Sequence, residues 1–131
     1  MSKVVSSQSV SPQSISPKSI AESLTDLWSP KIVGEVDNHY VKVAKVQGTF
    51  GWHSHADEDE LFFVLKGQLC IELDTESVTL NEGDMYIVPK GVKHNPVADN
   101  ECQILLFEKK TTLHTGGVKT DKTRSIEDQL G

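Results

Sequence analysis

The sequence predicts an all-β protein, a sandwich or barrel, and three observations carry that prediction. From Lys31 onward the chain divides into about nine short runs rich in β-branched and aromatic residues. Turn-forming clusters separate the runs, and no helical periodicity falls among them. A length of 131 residues suits one core of ordinary size.

In chain order, the N-terminal stretch holds an imperfect five-residue echo, QSVSP, QSISP and KSIAE, rich in Ser and poor in large apolar groups. Such a segment buries too little surface to offset its ordering entropy, so residues 1–18 are expected to form a flexible, disordered tail. Ser19 with Glu22 three residues later resembles a capping box, and Ile20, Leu24 and Leu27 share one helical face. A short helix is therefore expected from residue 19, ending before Pro30.

The expected strands read KIVGEV, HYVKVAKV, GTFGWHSH, ELFFVLKG, QLCIEL, SVTL, MYIVP, KHNPVA and CQILLFE. Val36-Asp37-Asn38, Lys66-Gly67, Asn81-Glu82-Gly83-Asp84 and Asp99-Asn100 supply turns between them. Leu61 to Leu65 is apolar on both parities, which predicts a strand covered on both faces, as in a closed or doubly layered structure. Residues 19–118 form the single domain on this reading, and 119–131 a polar C-terminal tail.

Charge narrows the function. The chain carries a formal net charge of −6 with its Lys and Arg scattered, so a phosphate backbone is repelled and nucleic acid is excluded as a partner. No apolar run approaches the roughly 20 residues a bilayer span needs, and MSKVVSSQSV lacks the apolar block of a secretory signal, so no membrane partner and a cytoplasmic location are expected. Cys70 and Cys102 sit inside apolar runs and are expected reduced and buried.

The chemistry gathers in WHSHADEDE. On an extended chain, residues two apart face the same way, so His53 and His55 can present both imidazoles to one point. Imidazoles joined by one carboxylate are the usual makeup of an iron, manganese or zinc site with open positions. Spacing alone leaves Asp57, Glu58, Asp59 and Glu60 all available, though Glu60 leads directly into the apolar strand. A third imidazole, His94, follows the Pro89 and Gly91 turn that fixes where it points. Against this stand two ordinary readings: a strand histidine is commonly a hydrogen-bonded core residue, and an acidic run commonly a solvated loop. Tyr40, Lys42, Tyr86, Gln103 and His114 are expected at the surface or an edge, and His39 exposed.

These residues resemble the cupin superfamily, whose motifs are G-x5-H-x-H-x3–4-E-x6-G and G-x5-P-x-G-x2-H-x3-N. HSHADEDELFFVLKG supplies His53, His55, Glu60 and Gly67 at the first spacing, and GDMYIVPKGVKH supplies Gly83, Pro89, Gly91 and His94 at the second. The leading glycine is displaced by one, to Gly48, and Ala98 stands where the closing asparagine belongs. Over roughly Trp28 to Val118 the chain is similar to the small single-domain cupins labelled mannose-6-phosphate-isomerase-like. The resemblance implies a double-stranded β-helix, or jelly-roll barrel, with His53, His55, Glu60 and His94 on one divalent metal ion: Fe, Mn, Zn, Ni or Cu.

A barrel of this kind does not settle function. The first expectation is a metalloenzyme of isomerase or dioxygenase type acting on a polar, oxygen-rich small molecule. The alternative is a non-catalytic module that binds a small molecule or the metal, and a purely structural metal site ranks last. A homodimer is expected, because the two-fold dimer is the commonest soluble oligomer and the outer face of Leu61 to Leu65 needs cover.

Overall fold

The computed structural model of the chain describes residues 13–113, 115, 116 and 122–130. Most of the expected tail, residues 1–12, lies outside them, as do His114 and residues 117–121. Helix α1 spans Pro17–Ser23 and is followed by β1 (Lys31–Val36), β2 (His39–Thr49), β3 (Glu60–Lys66) and β4 (Gln68–Glu72). Then come β5 (Ser77–Asn81), β6 (Met85–Val88), β7 (Asn95–Lys109) and a short helix α2 (Ile126–Leu130).

Helix α1 begins earlier than the capping-box reading placed it. Ser16, not Ser19, is the N-cap, accepting a hydrogen bond from Ser19 N at 3.2 Å, and Pro17 takes the first helical position. Proline suits that position because its φ is already helical and its missing N–H is not needed there. The apolar face also ends sooner. Leu24 leaves the helix in an extended conformation, and Leu27, 41% exposed, bridges Lys45 on β2 instead of continuing the stripe.

All strand pairs are antiparallel, in the order β1-β2-β7-β3-β6, with β4 joining β7 to β5. Seven strands replace the nine expected runs. GTFGWHSH contributes only the end of β2, because Gly48 (φ 85) and Gly51 (φ 121) turn the chain out of the extended region. KHNPVA and CQILLFE fuse into the 15-residue β7. The turn residues between them persist as an irregularity where β2 pairing passes from Val46↔Cys102 to Gly48↔Ala98.

Strand β7 is the spine of the barrel. Its first part pairs with β4 through Asn95–Val97, its second with β3 through Gln103–Glu108, and β2 runs along both. One parity of every strand faces inward: Ala44 and Val46, Phe62 and Val64, Leu69 and Ile71, Cys102, Ile104 and Leu106 form one buried cluster. Burying a Val, Leu or Ile side chain contributes about 1.5–3 kcal/mol, so this cluster supplies most of the driving force. The hairpin from β3 to β4 turns on Gly67, whose φ of 92 strains any L side chain and where an added Cβ would sit 3.1 Å from Glu101 O and 3.2 Å from Cys102 Cα, forcing that backbone to give. No helix among the described residues is long and apolar enough to cross a membrane.

Candidate metal centre

The four residues that the cupin resemblance implies as ligands come together. The candidate ligand atoms of His53, His55, Glu60 and His94 all lie within 4.8 Å of one another. His55, Glu60 and His94 are buried, and His53 is half-buried.

Local backbone contacts explain how distant segments meet. His53 and His94 form an isolated antiparallel bridge, with His53 N donating to His94 O at 3.0 Å and His94 N to His53 O at 2.9 Å. Their rings are consequently 4.3 Å apart between centroids. The Pro89–Gly91 turn is tied to the same loop, since Gly91 N donates to His55 O at 2.7 Å. Glu60, first residue of β3, is held in register by Val88 on one side and Glu108 on the other. From outside, the C-terminal segment crosses the motif: Gly116 (φ 71) lies so close to Ser54 O that any side chain would collide with it.

The rings are oriented as ligands are. Nδ1 of His53 lies 3.1 Å from Gly51 O, and Nδ1 of His94 lies 3.0 Å from Val92 O. A carbonyl oxygen only accepts, so both Nδ1 atoms carry a proton, and in a neutral ring so held the Nε2 lone pair is left for a metal. His94 Nε2 sits 3.4 Å from Glu60 Oε1. His55 Nε2, also buried, is 3.3 Å from the same oxygen, near enough for charge to matter but without the angle of a hydrogen bond. A buried nitrogen lacking a hydrogen bond, two imidazoles with Nδ1 secured and one carboxylate together fit a divalent cation.

The electrostatics agree. Burial, then the neighbouring His94, lowers the His53 pKa to about 4, keeping the imidazole neutral near pH 7 as a ligand must be. Burial alone would raise the Glu60 pKa, but the polar neighbours His55, His94 and Glu108 outweigh it and hold the carboxyl well below its ordinary value.

Behind the cluster lies a second polar group. Lys42 Nζ is 2.8 Å from Glu108 Oε2, and both side chains are almost fully buried. Glu108 faces Glu60 across the β3–β7 ladder. Burial and the Glu60 charge raise its pKa well above the ordinary value despite Lys42. This corrects the expectation of a surface or edge position for Lys42, which shares the inward parity of Ala44 and Val46, as Glu108 shares that of Ile104 and Leu106. Gln103 is likewise buried, at 1% exposure, on the outer face of β7, where it helps lower the pKa of Glu22 on α1. His39 is half-buried, its ring stacked 4.8 Å from that of Phe107. Cys102 is buried as expected, whereas Cys70 is only partly so, and both are free thiols.

A small cavity of about 30 Å³, partly open to solvent, has His53 and Glu60 in its wall. Trp28 and Phe50, neither foreseen as part of a site, line it with ring centroids 5.1 Å apart. Trp28 gets there because its N–H donates to Lys45 O at 2.9 Å and its Nε1 to Gln47 O at 2.8 Å, pulling the segment after α1 over the barrel end.

Comparisons with known proteins agree with this geometry. A family model described as a cupin domain matches residues 39–108. The uncharacterised protein YdbB of Bacillus subtilis (strain 168) is 43% identical over 63 residues, 47% of this chain and 56% of YdbB. The chain spans about half the length of the curated relatives it matches. The crystal structure of a cupin-2 domain containing protein from Shewanella frigidimarina superposes with a TM-score of 0.71 at 40% identity, covering 73% of this chain and 94% of that one. A Neisseria meningitidis structure gives a TM-score of 0.68 at 29% identity, covering 75% of this chain and 100% of the other.

Proposed function

The chain belongs to the cupin family, and from that premise we propose that it is a small metalloenzyme of isomerase or dioxygenase type, with His53, His55, Glu60 and His94 as the ligands of one divalent ion. The observation that carries the proposal is the convergence of these donors with two Nδ1 atoms secured to backbone carbonyls. Four protein donors leave room on a six-coordinate ion, which when bound supplies Lewis-acid chemistry to an oxygen atom of a small molecule. The chain's own part is positional: the His53–His94 bridge fixes two rings, Glu108 and Val88 fix Glu60, and the apolar barrel keeps bulk water from the rear of the site.

Elemental analysis of protein purified without chelator tests the proposal. About one ion per chain is expected, with near-total loss in His94→Ala and retention of the β-sheet circular dichroism. Unchanged metal content in that variant overturns the ligand set.

One observation favours the non-catalytic alternative. Apart from His53 and Glu60, the cavity wall contains no titratable side chain that could act as general acid or base. A module that retains its ligand unchanged across a substrate panel would fit that wall as well.

We place the protein in the cytoplasm, where two free thiols remain reduced, and infer a homodimer. Leu61, Phe63, Met85, Ile87, Leu105 and Phe107 align in two apolar rows on the outer face, with Met85 55% and Ile87 45% exposed. Light scattering after size exclusion is expected to give twice 14.5 kDa, and a monomer mass rejects the dimer.

A further inference from the structure

The cavity beside the metal centre is too small for an organic ligand, and one residue of its wall is held in a costly conformation. About 30 Å³ is room for one or two water-sized occupants, against the roughly 300 Å³ at which small-molecule sites begin. His53 and Glu60 border this space, and so does Trp28, which is 7% exposed. Phe50 stands between the two sides, its ring centroid 5.1 Å from that of Trp28 and 5.0 Å from that of His53.

Trp28 is not a barrel residue. It belongs to the connection from α1 to β1, residues 24–30, and is fastened to backbone carbonyls of β2: its N–H donates to Lys45 O at 2.9 Å and its Nε1 to Gln47 O at 2.8 Å. Its φ of 56 lies in the left-handed region. Among the described residues the other non-glycine there is Asp37, in the β1–β2 turn, where a short polar side chain is tolerated. For a tryptophan the same conformation is costly and persists only while its surroundings hold it, so release from β2 relieves strain that docking stores.

The connection also has room to move. Leu24, Thr25, Asp26, Ser29 and Pro30 line a second space, of about 190 Å³ and partly open to solvent, and Pro30 borders both spaces. Ala44, Val46, Ile104 and Leu106, which face Trp28 across the small cavity, sit instead in the β2–β7 ladder and cannot shift singly. Of the wall, the connection is the part that can yield without breaking the sheet.

We propose that Trp28 is the gate of this site: with Trp28 docked on β2 only water-sized molecules reach the metal, and an organic ligand enters when residues 24–30 swing away from the barrel. Trp28 determines access and touches no reacting atom. What lies behind the gate rests on the metal reading above. The gate itself rests on the geometry of the connection.

Cobalt(II)-loaded protein tests this, with azide and acetohydroxamate as slim and bulky ions that each shift the visible bands of the metal on binding. In the parent protein the azide rate is expected to rise in proportion to concentration, and the acetohydroxamate rate to level off at the rate of opening. In Trp28→Ala, matched for cobalt content and circular dichroism, acetohydroxamate is expected to bind about tenfold faster or more, without a plateau, while azide changes by less than about threefold. A structural role alone would move both rates together or neither, and either result overturns the proposal. Amide hydrogen exchange of the metal-free parent is the second measurement, and it needs neither the variant nor the ion. The Trp28 N–H is expected to exchange about a hundredfold faster than the β2 amides paired with β7, independently of low urea, as local opening requires. Exchange of Trp28 only at the rate of those amides overturns the gate even where Trp28→Ala does not fold. A protein that takes up no cobalt refutes the metalloenzyme reading, and the exchange result then decides the gate by itself.

Discussion

Glu60 and Glu108 are cross-strand partners in one barrel, both buried, and their environments drive them in opposite directions. Glu60 lies beside the imidazoles of His55 and His94, and its pKa is held well below the ordinary value. Glu108, on the far side, meets the negative charge of Glu60 and one ammonium group, Lys42, and its pKa is raised. Burial penalises both carboxylates, so the direction of each shift is decided by what lies within hydrogen-bonding reach. The physical consequence is a barrel interior in which one carboxylate is favoured as the anion while its register partner, beside Lys42, is the more easily protonated.

The largest expected effect comes from removing the lysine. In Lys42→Met the buried Glu108 carboxyl loses the ammonium group 2.8 Å away, and breaking a buried ionic group typically costs about 3–5 kcal/mol. Urea unfolding of metal-free protein measures it, with the transition midpoint falling and its slope unchanged. A loss under about 1 kcal/mol would mean that Lys42 carries no share of the balance. Saturating metal should restore part of the loss, because a bound cation balances Glu60 from the other side.

Much of the metal cluster was legible in the sequence, and the lysine was not, for a reason visible in the fold. His53, His55, Glu60 and His94 stand at spacings that a local backbone rule and two motifs both constrain. Lys42 is a lone charge in an alternating run, and composition places such charges outside. Only its parity with Ala44 and Val46 marks it as inward, and that signal gains meaning once Glu108 is known to face it across β7. Trp28 had no local signal at all, since its place depends on a tertiary bridge to β2. Fold class followed from short β-type runs and turns, whereas strand number did not. Whether Asp99-Asn100 ends a strand or bends one is decided by β2 lying alongside both halves.

A smaller effect is expected on acid titration of the metal-free protein. The folded chain resists protonation of His53 until about pH 4, while the unfolded chain takes up that proton near its ordinary value of 6.5. Between those values the unfolded state binds more protons, so stability falls as pH is lowered, by at most about 3 kcal/mol. Glu108 acts oppositely in part of this window: its raised pKa means the folded state keeps a proton that the unfolded state releases above 4.5, so its contribution declines as pH rises. Thermal melts from pH 7.5 to 4.5 in the Glu108→Gln background isolate the His53 slope. A flat profile there, with the sheet intact, contradicts a neutral buried His53.

The smallest expected effect is that of Glu108→Gln itself, and its smallness is what sharpens the contrast between the two glutamates. A carboxamide reproduces the protonated acid: its oxygen can accept from Lys42 Nζ, now 2.8 Å from Glu108 Oε2, and its NH2 can donate to Glu60. If Glu108 holds its proton in the native fold, the substitution exchanges one neutral bridge for another and costs about 1 kcal/mol or less near pH 7. Were Glu108 instead ionised and paired with Lys42, the same change would leave a buried ammonium without its anion and cost about 3–5 kcal/mol. Urea midpoints of the parent and Glu108→Gln at pH 7 therefore read the protonation state directly. A large loss would transfer the negative charge to Glu108 and remove the asymmetry that keeps Glu60 ready for a cation.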